Sequence, residues 1–239
     1  MAVKAYDISV NEQAVGGALA AGWAGAHGPA IDPAVWPRTP RTGQPMHHRF
    51  TLWLPEGYRR RGDELVGVSV FQWCDAFYWR GPSGPEGTVH PHLHLADDGV
   101  DQVFALLWLT EAELTGPPTA RPAPTAAPVE GEDDPEGKIP SYASAGPLWL
   151  RERDDPNAGL SPTDDGCVEV PNLYDKFAME HLGGTAMSPD GPRSDLSPWY
   201  VEVNRLGGLN HGGDQDIAFD LGAAHILGDM SSHVRYGIA

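Results

Sequence analysis

The stretch Leu65-Val66-Gly67-Val68-Ser69-Val70-Phe71-Gln72-Trp73 decides the fold class, because apolar side chains fall on both of its faces. Successive side chains of a strand point to opposite faces, so this stretch predicts an inner strand that is covered on both sides. Val103 to Leu109 has the same character and predicts a second inner strand. These two strands place a sheet at the centre of the predicted fold.

Shorter strands and turns surround this centre. Phe50 to Leu54 alternates in the manner of a half-buried strand, and Trp199 to Val203 and Asp216 to Leu221 predict two more strands. Glycine and proline number 29 and 23 among 239 residues, which favours many turns and short elements. The predicted fold class is therefore α+β, mainly antiparallel β, with few short helices.

Three segments carry helix signals. Ser9 and Glu12 fit a capping box and predict a modest helix over about Val10 to Ala21. Thr110 and Glu113 fit a second capping box, which predicts a short helical turn directly after the second inner strand. A third short helix is expected around Asn172 to His181, after a polar stretch that begins at Asp154.

A proline-rich, acidic stretch from Gly116 to Lys138 divides the chain. It contains too few apolar residues to bury a core, so it predicts a linker or a surface excursion. The domain organisation expected is an N-terminal half (1–115), this connector (116–138) and a C-terminal half (139–239), with the two halves packed as one unit.

Charge and cysteine content limit the classes of partner and the compartment. Acidic residues outnumber basic ones 33 to 16, for a formal net charge of −17. Such a surface repels phosphate backbones and anionic lipid, so neither nucleic acid nor a membrane is expected as a partner. The N-terminus lacks the apolar core of a signal peptide, and only Cys74 and Cys167 occur. Two reduced thiols predict a cytoplasmic protein.

The strongest candidate for chemistry is the segment His90-Pro91-His92-Leu93-His94, which Asp97 and Asp98 follow. Residues i, i+2 and i+4 of an extended chain share a face, so three imidazoles could converge. His90, His92, His94 and Asp97 would then hold a divalent metal such as Zn²⁺ or Fe²⁺. The alternative is an exposed, solvated histidine loop in which Pro91 breaks the strand. Composition bias alone produces such clusters, so this alternative is preferred.

Nothing else in the chain matches an established catalytic pattern. The sequence has no nucleophile elbow, no phosphate-binding P-loop, no dinucleotide-binding glycine fingerprint and no His-Glu-x-x-His zinc motif. No catalytic residue and no organic cofactor is therefore predicted. Arg59-Arg60-Arg61 is the most basic spot in the chain, and it fits either a solvated turn or a specific anion site.

Two glycine-rich stretches resemble the YwqG-like family, bacterial proteins of unknown function with a duplicated β-rich unit. The first runs from Gly28-Pro29 through Trp36-Pro37 to Gly43-Gln44-Pro45-Met46, and the second from Leu182-Gly183-Gly184 through Gly212-Gly213 to Asp220-Leu221. Together they cover about a third of the chain. Gln215 departs from the family pattern, because it precedes Asp216 and the strand instead of standing close to the final Asp-Leu pair. The resemblance implies a duplicated α+β fold and supplies no activity.

Acidity, the missing catalytic motifs and this resemblance together favour a non-enzymatic module that binds a basic protein. An immunity-like or antitoxin-like role is one concrete form of that function. The alternative is a metal-binding protein or metal-dependent enzyme centred on the histidine segment.

Overall fold

The computed structural model describes residues 3–11, 17–39, 43–73, 89–97, 103–123, 145–187, 196–208, 217–222 and 234–236. Within these ranges the two α-helices are α1 (Glu111–Thr115) and α2 (Leu173–Lys176). The strands are β1 (Ala5–Val10), β2 (Leu19–Ala24), β3 (His27–Gly28), β4 (His47–Trp53), β5 (Leu65–Trp73), β6 (Leu93–Asp97), β7 (Val103–Thr110), β8 (Thr119–Ala120), β9 (Gly146–Arg153), β10 (His181–Leu182), β11 (Tyr200–Val203), β12 (Ile217–Asp220) and β13 (Val234–Tyr236).

Eleven of these strands form one sheet in the order β13-β12-β11-β10-β1-β9-β2-β4-β5-β7-β6. Every strand pair that the structure describes is antiparallel. The sheet is curled: Phe104 of β7 and Phe219 of β12, which lie far apart in the strand order, meet edge to face with ring centroids 5.6 Å apart. The mainly antiparallel architecture with few short helices agrees with the sequence prediction.

The strand order interleaves early and late parts of the chain. β9 pairs with both β1 and β2, and β1 lies between β9 and β10. β1 therefore pairs on both sides with strands of the C-terminal half, and β2 pairs with β9 on one side and with β4 on the other. The connector is anchored at its start, since β8 pairs with β3 and Arg121 Nε donates to Pro45 O at 2.8 Å. Residues 124–138 of the predicted connector lie outside the described residues.

The inner strands carry the core as predicted. All nine residues of β5 are buried, and the described side chains of β7 up to Leu109 are buried as well. Phe104, Leu106 and Trp108 belong to an apolar cluster on one face, and the alternate residues of β7 belong to a cluster on the other face. This alternation is the strand period expressed in packing.

β4 differs from its prediction, because both of its faces are buried rather than one. Its polar residues are accommodated by bonds to each other and to the backbone. His48 Nδ1 lies 2.5 Å from Gly25 O, its Nε2 lies 2.8 Å from Thr51 Oγ1, and Thr51 bonds in turn to Ser69. Buried polar groups persist when they find such partners, and an alternating pattern alone does not reveal them.

The helix predicted over Val10 to Ala21 is wrong at both of its ends. Val10 is the last residue of β1, and Leu19 to Ala21 open β2. Both strands obtain ladder bonds from β9, which outweigh the weak helical signal of a glycine-rich stretch. Residues 12–16 lie outside the described residues.

The two shorter helices follow their signals more closely. α1 begins at the predicted capping box, in which Thr110 and Glu113 bond each other's backbone. α2 is shorter than predicted, because Phe177 is already extended and His181 opens β10. Neither helix has the length and apolar character needed to cross a membrane, as far as the described residues extend.

Candidate functional site

The predicted histidine segment enters the sheet at its edge. Pro91 and His92 form a turn, and β6 then begins at Leu93 and pairs with β7. His94 and Asp97 therefore lie on the strand, with Leu106 and Val103 as their respective partners, whereas His90 precedes it. Pro91 thus separates His90 from the extended part of the segment, and Asp98 lies outside the described residues.

His90 is buried, and both of its ring nitrogens have partners. Its Nδ1 accepts from the backbone N–H of His92 at 3.2 Å, so Nε2 carries the proton and donates to Glu113 Oε1 at 2.7 Å. Glu113 also completes the cap of α1 through Thr110. Burial alone would raise the pKa of Glu113, but the bonds from Thr110 and His90 outweigh it and lower that pKa. His90 thereby links the turn at Pro91 and His92 to α1 through hydrogen bonds.

The other two imidazoles lie nearby. The His92 ring is 5.7 Å from that of His90, and His94 is half-buried beside Arg61. Burial, Arg61 and His92 together lower the pKa of His94 to about 4. Among the described residues, no group of three or more His, Cys, Asp or Glu side chains is arranged to hold a metal ion.

A second region brings together far more polar chemistry. It is the connection between β9 and β10, residues 154–180, which we call the acidic loop. β1 is antiparallel to both flanking strands, so β9 and β10 run in the same direction and the connection must cross β1. At the crossing, Ile8 N donates to Glu180 O and Ala178 N donates to Asp7 Oδ1.

The root of the acidic loop is a buried ion network. Arg153, whose side chain is 4% exposed, donates to Asp7 Oδ1 at 3.2 Å and lies 2.7 Å from Asp155 Oδ2. It also donates to the carbonyls of Gly183 and Thr185, which follow β10. Its guanidinium lies 4.2 Å from the ring centroid of Phe177. One cation therefore joins β1, the start of the loop and its far end.

Asp155 uses both of its oxygens to close the loop. It accepts from Asn157 N at 2.9 Å, from Thr185 N at 2.9 Å and from Thr185 Oγ1 at 2.8 Å. Its side chain is fully buried. A buried carboxylate is retained only when it is paired and hydrogen-bonded, and Asp155 meets both conditions.

Asn157 then clamps the middle of the loop. Its Nδ2 donates to Val168 O and to Thr185 Oγ1, both at 2.9 Å, and its Oδ1 accepts from Val168 N at 2.8 Å. One amide side chain thus satisfies both backbone groups of Val168, as a neighbouring strand would. The clamp fixes the backbone at residue 168 although its side chain is 51% exposed.

Further ties hold the second half of the loop. Tyr174, which is 57% exposed, donates from its hydroxyl to Met187 O at 3.0 Å. The Glu180 carboxylate accepts from the backbone N–H groups of Asn204 and Arg205, each at 2.8 Å. Val168 and Tyr174 are therefore both tied to the segment after β10 by hydrogen bonds. Val168 is held through Asn157 and Thr185, and Tyr174 through its bond to Met187 O.

His181 and Glu202 form hydrogen bonds with that segment. His181 Nδ1 lies 3.0 Å from Gly183 O and its Nε2 lies 3.0 Å from Glu202 Oε2, and both side chains are fully buried. Glu202 also accepts from Met187 N at 2.9 Å.

The Gly183-Gly184 pair is required by this packing. Both residues have positive φ, of 55° and 83°. A Cβ at Gly184 would overlap the Asp155 carboxylate, and one at Gly183 would overlap the Tyr58 hydroxyl. Glycine is the residue that allows this backbone to approach the network so closely.

The outer face of the acidic loop combines charge with apolar side chains. Seven acidic residues and one basic residue fall within 154–180. The exposed acids are Asp154, Asp164, Asp165, Glu169 and Asp175. Four large apolar side chains are exposed among the described residues, and Val168 and Tyr174 are two of them. A cleft of about 490 Å³ adjoins the root of the loop and is lined by Val3, Lys4, Ala5, Glu152, Arg153, Asp154, Asp155 and Ala158.

Comparisons with protein-family models, with curated proteins and with solved structures find no match for this chain.

Sequence patterns did not identify the acidic loop as a site. Its clamp joins Asp155, Asn157 and Thr185, of which the first and last are 30 positions apart. The only local signal is Asp154-Asp155-Pro156-Asn157, which is typical of a turn that starts with an Asx-type hydrogen bond.

Proposed function

We propose that the protein is a cytoplasmic, non-enzymatic module that binds a basic protein through the acidic loop. The observation that carries this proposal is the rigid presentation of Val168 and Tyr174 among five exposed carboxylates. An immunity-like or antitoxin-like role against a basic partner is the concrete form that this chemistry suits best.

The length of the loop supports a functional role. Crossing one strand requires about a dozen residues, and this connection uses 27. Loops longer than about 12–15 residues without much secondary structure are usually functional or disordered. This one is ordered by buried carboxylate, amide and guanidinium groups, so its extra length serves presentation on the surface.

The composition of the surface supports a protein as the partner. Tyrosine is enriched among the residues that dominate interface energetics, because it buries a large rigid area with few rotatable bonds. The bond from Tyr174 to Met187 O restricts its ring before any partner arrives, which lowers the entropic cost of binding. The surrounding acids would attract a basic partner and orient it on approach.

The cleft at the root of the loop offers a place for one basic side chain. Asp154 lines it and is exposed, Glu152 is exposed and pairs with Lys4 at 2.7 Å, and Arg153 is turned inward to Asp7 and Asp155. A lysine or arginine of the partner would meet the Asp154 carboxylate there and could replace Lys4 at Glu152, with its apolar stem against Val3 and Ala158.

Affinity capture from native lysate tests the proposal, with the purified protein as bait at about 0.1 M and about 1 M salt. The test variant is the double substitution Val168→Ser, Tyr174→Ala. The matched control is Leu19→Ser, which removes another exposed apolar side chain outside the loop. We expect the wild type and the control to retain one basic protein at low salt, and the double variant to lose it.

Two outcomes would contradict the proposal. The first is that all three baits retain the same proteins. The second is that the captured proteins are acidic or resist high salt, since screening shortens the Debye length from about 10 Å to about 3 Å over this range.

We also propose that the chain is a distant YwqG-like protein with a duplicated unit. Support comes from the first glycine-rich stretch, which forms one packed unit: Trp36 Nε1 donates to Met46 O at 2.9 Å, and a Cβ at Gly28 would strike the Trp36 ring. A crystal structure of a YwqG-like protein in which the corresponding Trp and Met lie apart would contradict this assignment.

A further inference from the structure

The turn between residues 58 and 65 places two arginines against two tryptophans on the curled face of the sheet. The Arg60 guanidinium lies 3.9 Å from the ring centroid of Trp199, and that of Arg61 lies 5.5 Å from the ring centroid of Trp108. Trp108 belongs to the apolar cluster of this face, and Trp199 packs against it. His94 lies beside Arg61. We call these five residues the arginine–tryptophan cluster.

Three N–H groups of this cluster are buried without an acceptor among the described residues. They are Arg61 Nε, Trp108 Nε1 and Trp199 Nε1. Trp108 is itself only 1% exposed. Buried polar groups of native proteins are almost always paired, so three unpaired donors around one turn call for an explanation.

Burial lowers the pKa of Arg61 to about 10, and among the described residues no carboxylate is found to oppose that shift. A further pairing of this type among the described residues shows the contrast: Arg121 lies 5.8 Å from the Trp73 ring, but its Nε donates to Pro45 O. In a chain with 33 acidic residues, a half-buried arginine that pairs with none of the acids in the described segments is a marked departure.

The hydrogen-bonding groups of the cluster indicate which kind of ligand it could bind. Arginine and tryptophan side chains donate hydrogen bonds and accept none, so a matching ligand must consist of acceptors. A negative charge would in addition neutralise Arg61. Arg60 is exposed and Arg61 is partly exposed, so the cluster can be approached from solvent at its arginine side.

We propose that the arginine–tryptophan cluster binds a small oxyanion, a carboxylate or phosphate group, through the guanidinium of Arg61 and the unpaired indole N–H groups. Arg60 lies on the solvent-exposed side of the cluster and adds a second positive charge. Arg59 takes no part, because its Nε already donates to Leu54 O at 3.0 Å. The site is distinct from the acidic loop and needs no protein partner.

Nuclear magnetic resonance of the indole N–H groups tests this directly, with inorganic phosphate and acetate as probes and chloride at matched ionic strength as the blank. We expect phosphate or acetate to shift the Trp108 and Trp199 signals. Trp23 and Trp36 are internal controls, because their indoles already donate to His27 O and Met46 O. Preference for phosphate would point to a phosphate-bearing ligand, and preference for acetate to a carboxylic acid.

Matched variants separate the site from general ionic effects. Arg61→Met keeps an unbranched stem over Trp108 and removes the charge, so it should weaken binding of the preferred anion at least tenfold. Arg121→Met removes the other arginine–tryptophan contact and should change binding less than twofold. Trp108→Phe removes one donor while keeping a ring, and provides the test should Arg61→Met fail to fold.

The proposal is overturned if neither anion moves the Trp108 and Trp199 signals more than chloride does. It is equally overturned if the control tryptophans shift to the same extent, or if Arg61→Met and Arg121→Met bind the anion as the wild type does.

Discussion

At the scale of single residues, backbone conformation imposes the strictest demands. Gly22 lies at an irregularity in the pairing of β2 with β9 and has a φ of 144°. A Cβ there would overlap the carbonyl oxygen of Thr51 in the neighbouring strand β4. Gly43 also has a positive φ, of 64°, but a Cβ there would meet open space.

We therefore expect Gly22→Ala to destabilise the protein by about 3 kcal/mol or more, because backbone strain and a backbone clash add. Gly43→Ala should cost about 1 kcal/mol, from strain alone. Urea unfolding monitored by tryptophan fluorescence measures both variants. Equal midpoints for the two would show that close approach of β2 and β4 does not matter.

Buried charge is the second demand at this scale. Removing Arg153 leaves the carboxylates of Asp7 and Asp155 buried with their main counter-charge gone. Breaking one partner of a buried pair typically costs about 3–5 kcal/mol, so Arg153→Ala should lower the free energy of unfolding by that order. Lys4→Ala breaks the exposed pair with Glu152 and should leave stability nearly unchanged. A mild effect of Arg153→Ala in chemical denaturation would refute the structural role of the network.

These residues show where sequence patterns stop being informative. The alternation of Phe50 to Leu54 predicted a strand correctly, but not that Arg49 and Thr51 are buried, because their cover comes from distant segments. The ion network likewise joins residue 7 to residues 153 and 155, which lie far from it in the sequence. Long-range pairing decides the environment of these polar groups, and pairing is invisible to periodicity.

At the scale of elements, the strongest signals were the most reliable. β5 and β7 were predicted from stretches with apolar side chains on both faces, and α1 from its capping box, because each signal is local and physically sufficient. The helix predicted over Val10 to Ala21 failed, because ladder bonds to β9 outweigh a weak local preference. The acidic loop was not predicted as a site, because its order comes from Asn157 and Thr185 rather than from regular structure.

The histidine segment yields the prediction at this scale. His90→Ala should destabilise the protein by about 1–3 kcal/mol, because Glu113 loses a charge-assisted bond. His92→Ala should change stability by less than about 0.5 kcal/mol, since among the described residues the His92 ring has no bond like that of His90 to Glu113. Thermal unfolding, together with native mass spectrometry for bound metal, measures both. A stoichiometric divalent ion that disappears in His92→Ala would restore the metal hypothesis.

At the scale of the whole molecule, buried histidines make stability depend on pH. Burial lowers the pKa of His47 to about 3, and of His48 and His94 to about 4. Burial is the largest cause in each case, nearby arginines contribute in the same direction, and hydrogen bonding to Gly25 O partly opposes the shift at His48. The unfolded chain, in which histidine titrates near 6.5, therefore binds more protons than the folded chain between about pH 6.5 and pH 4.

Stability must then fall as the pH is lowered through this window, and it should be nearly constant just above it with respect to these groups. Denaturant unfolding at half-unit pH steps measures the slope. His94→Gln should reduce the slope, because one titrating group is removed. A wild-type stability that rises on acidification from pH 6.5 to 4 would contradict the burial of these rings.

The proposed function requires the acidic loop to be ordered before any partner binds. Hydrogen exchange of the free protein, resolved to the Val168 amide, tests this most directly. We predict strong protection of that amide in the wild type and in Asn172→Gly, whose side chain makes no capping bond. Asn157→Ala should abolish the protection while β5 remains protected. Exchange of the Val168 amide at the unprotected rate in the wild-type protein would contradict the account.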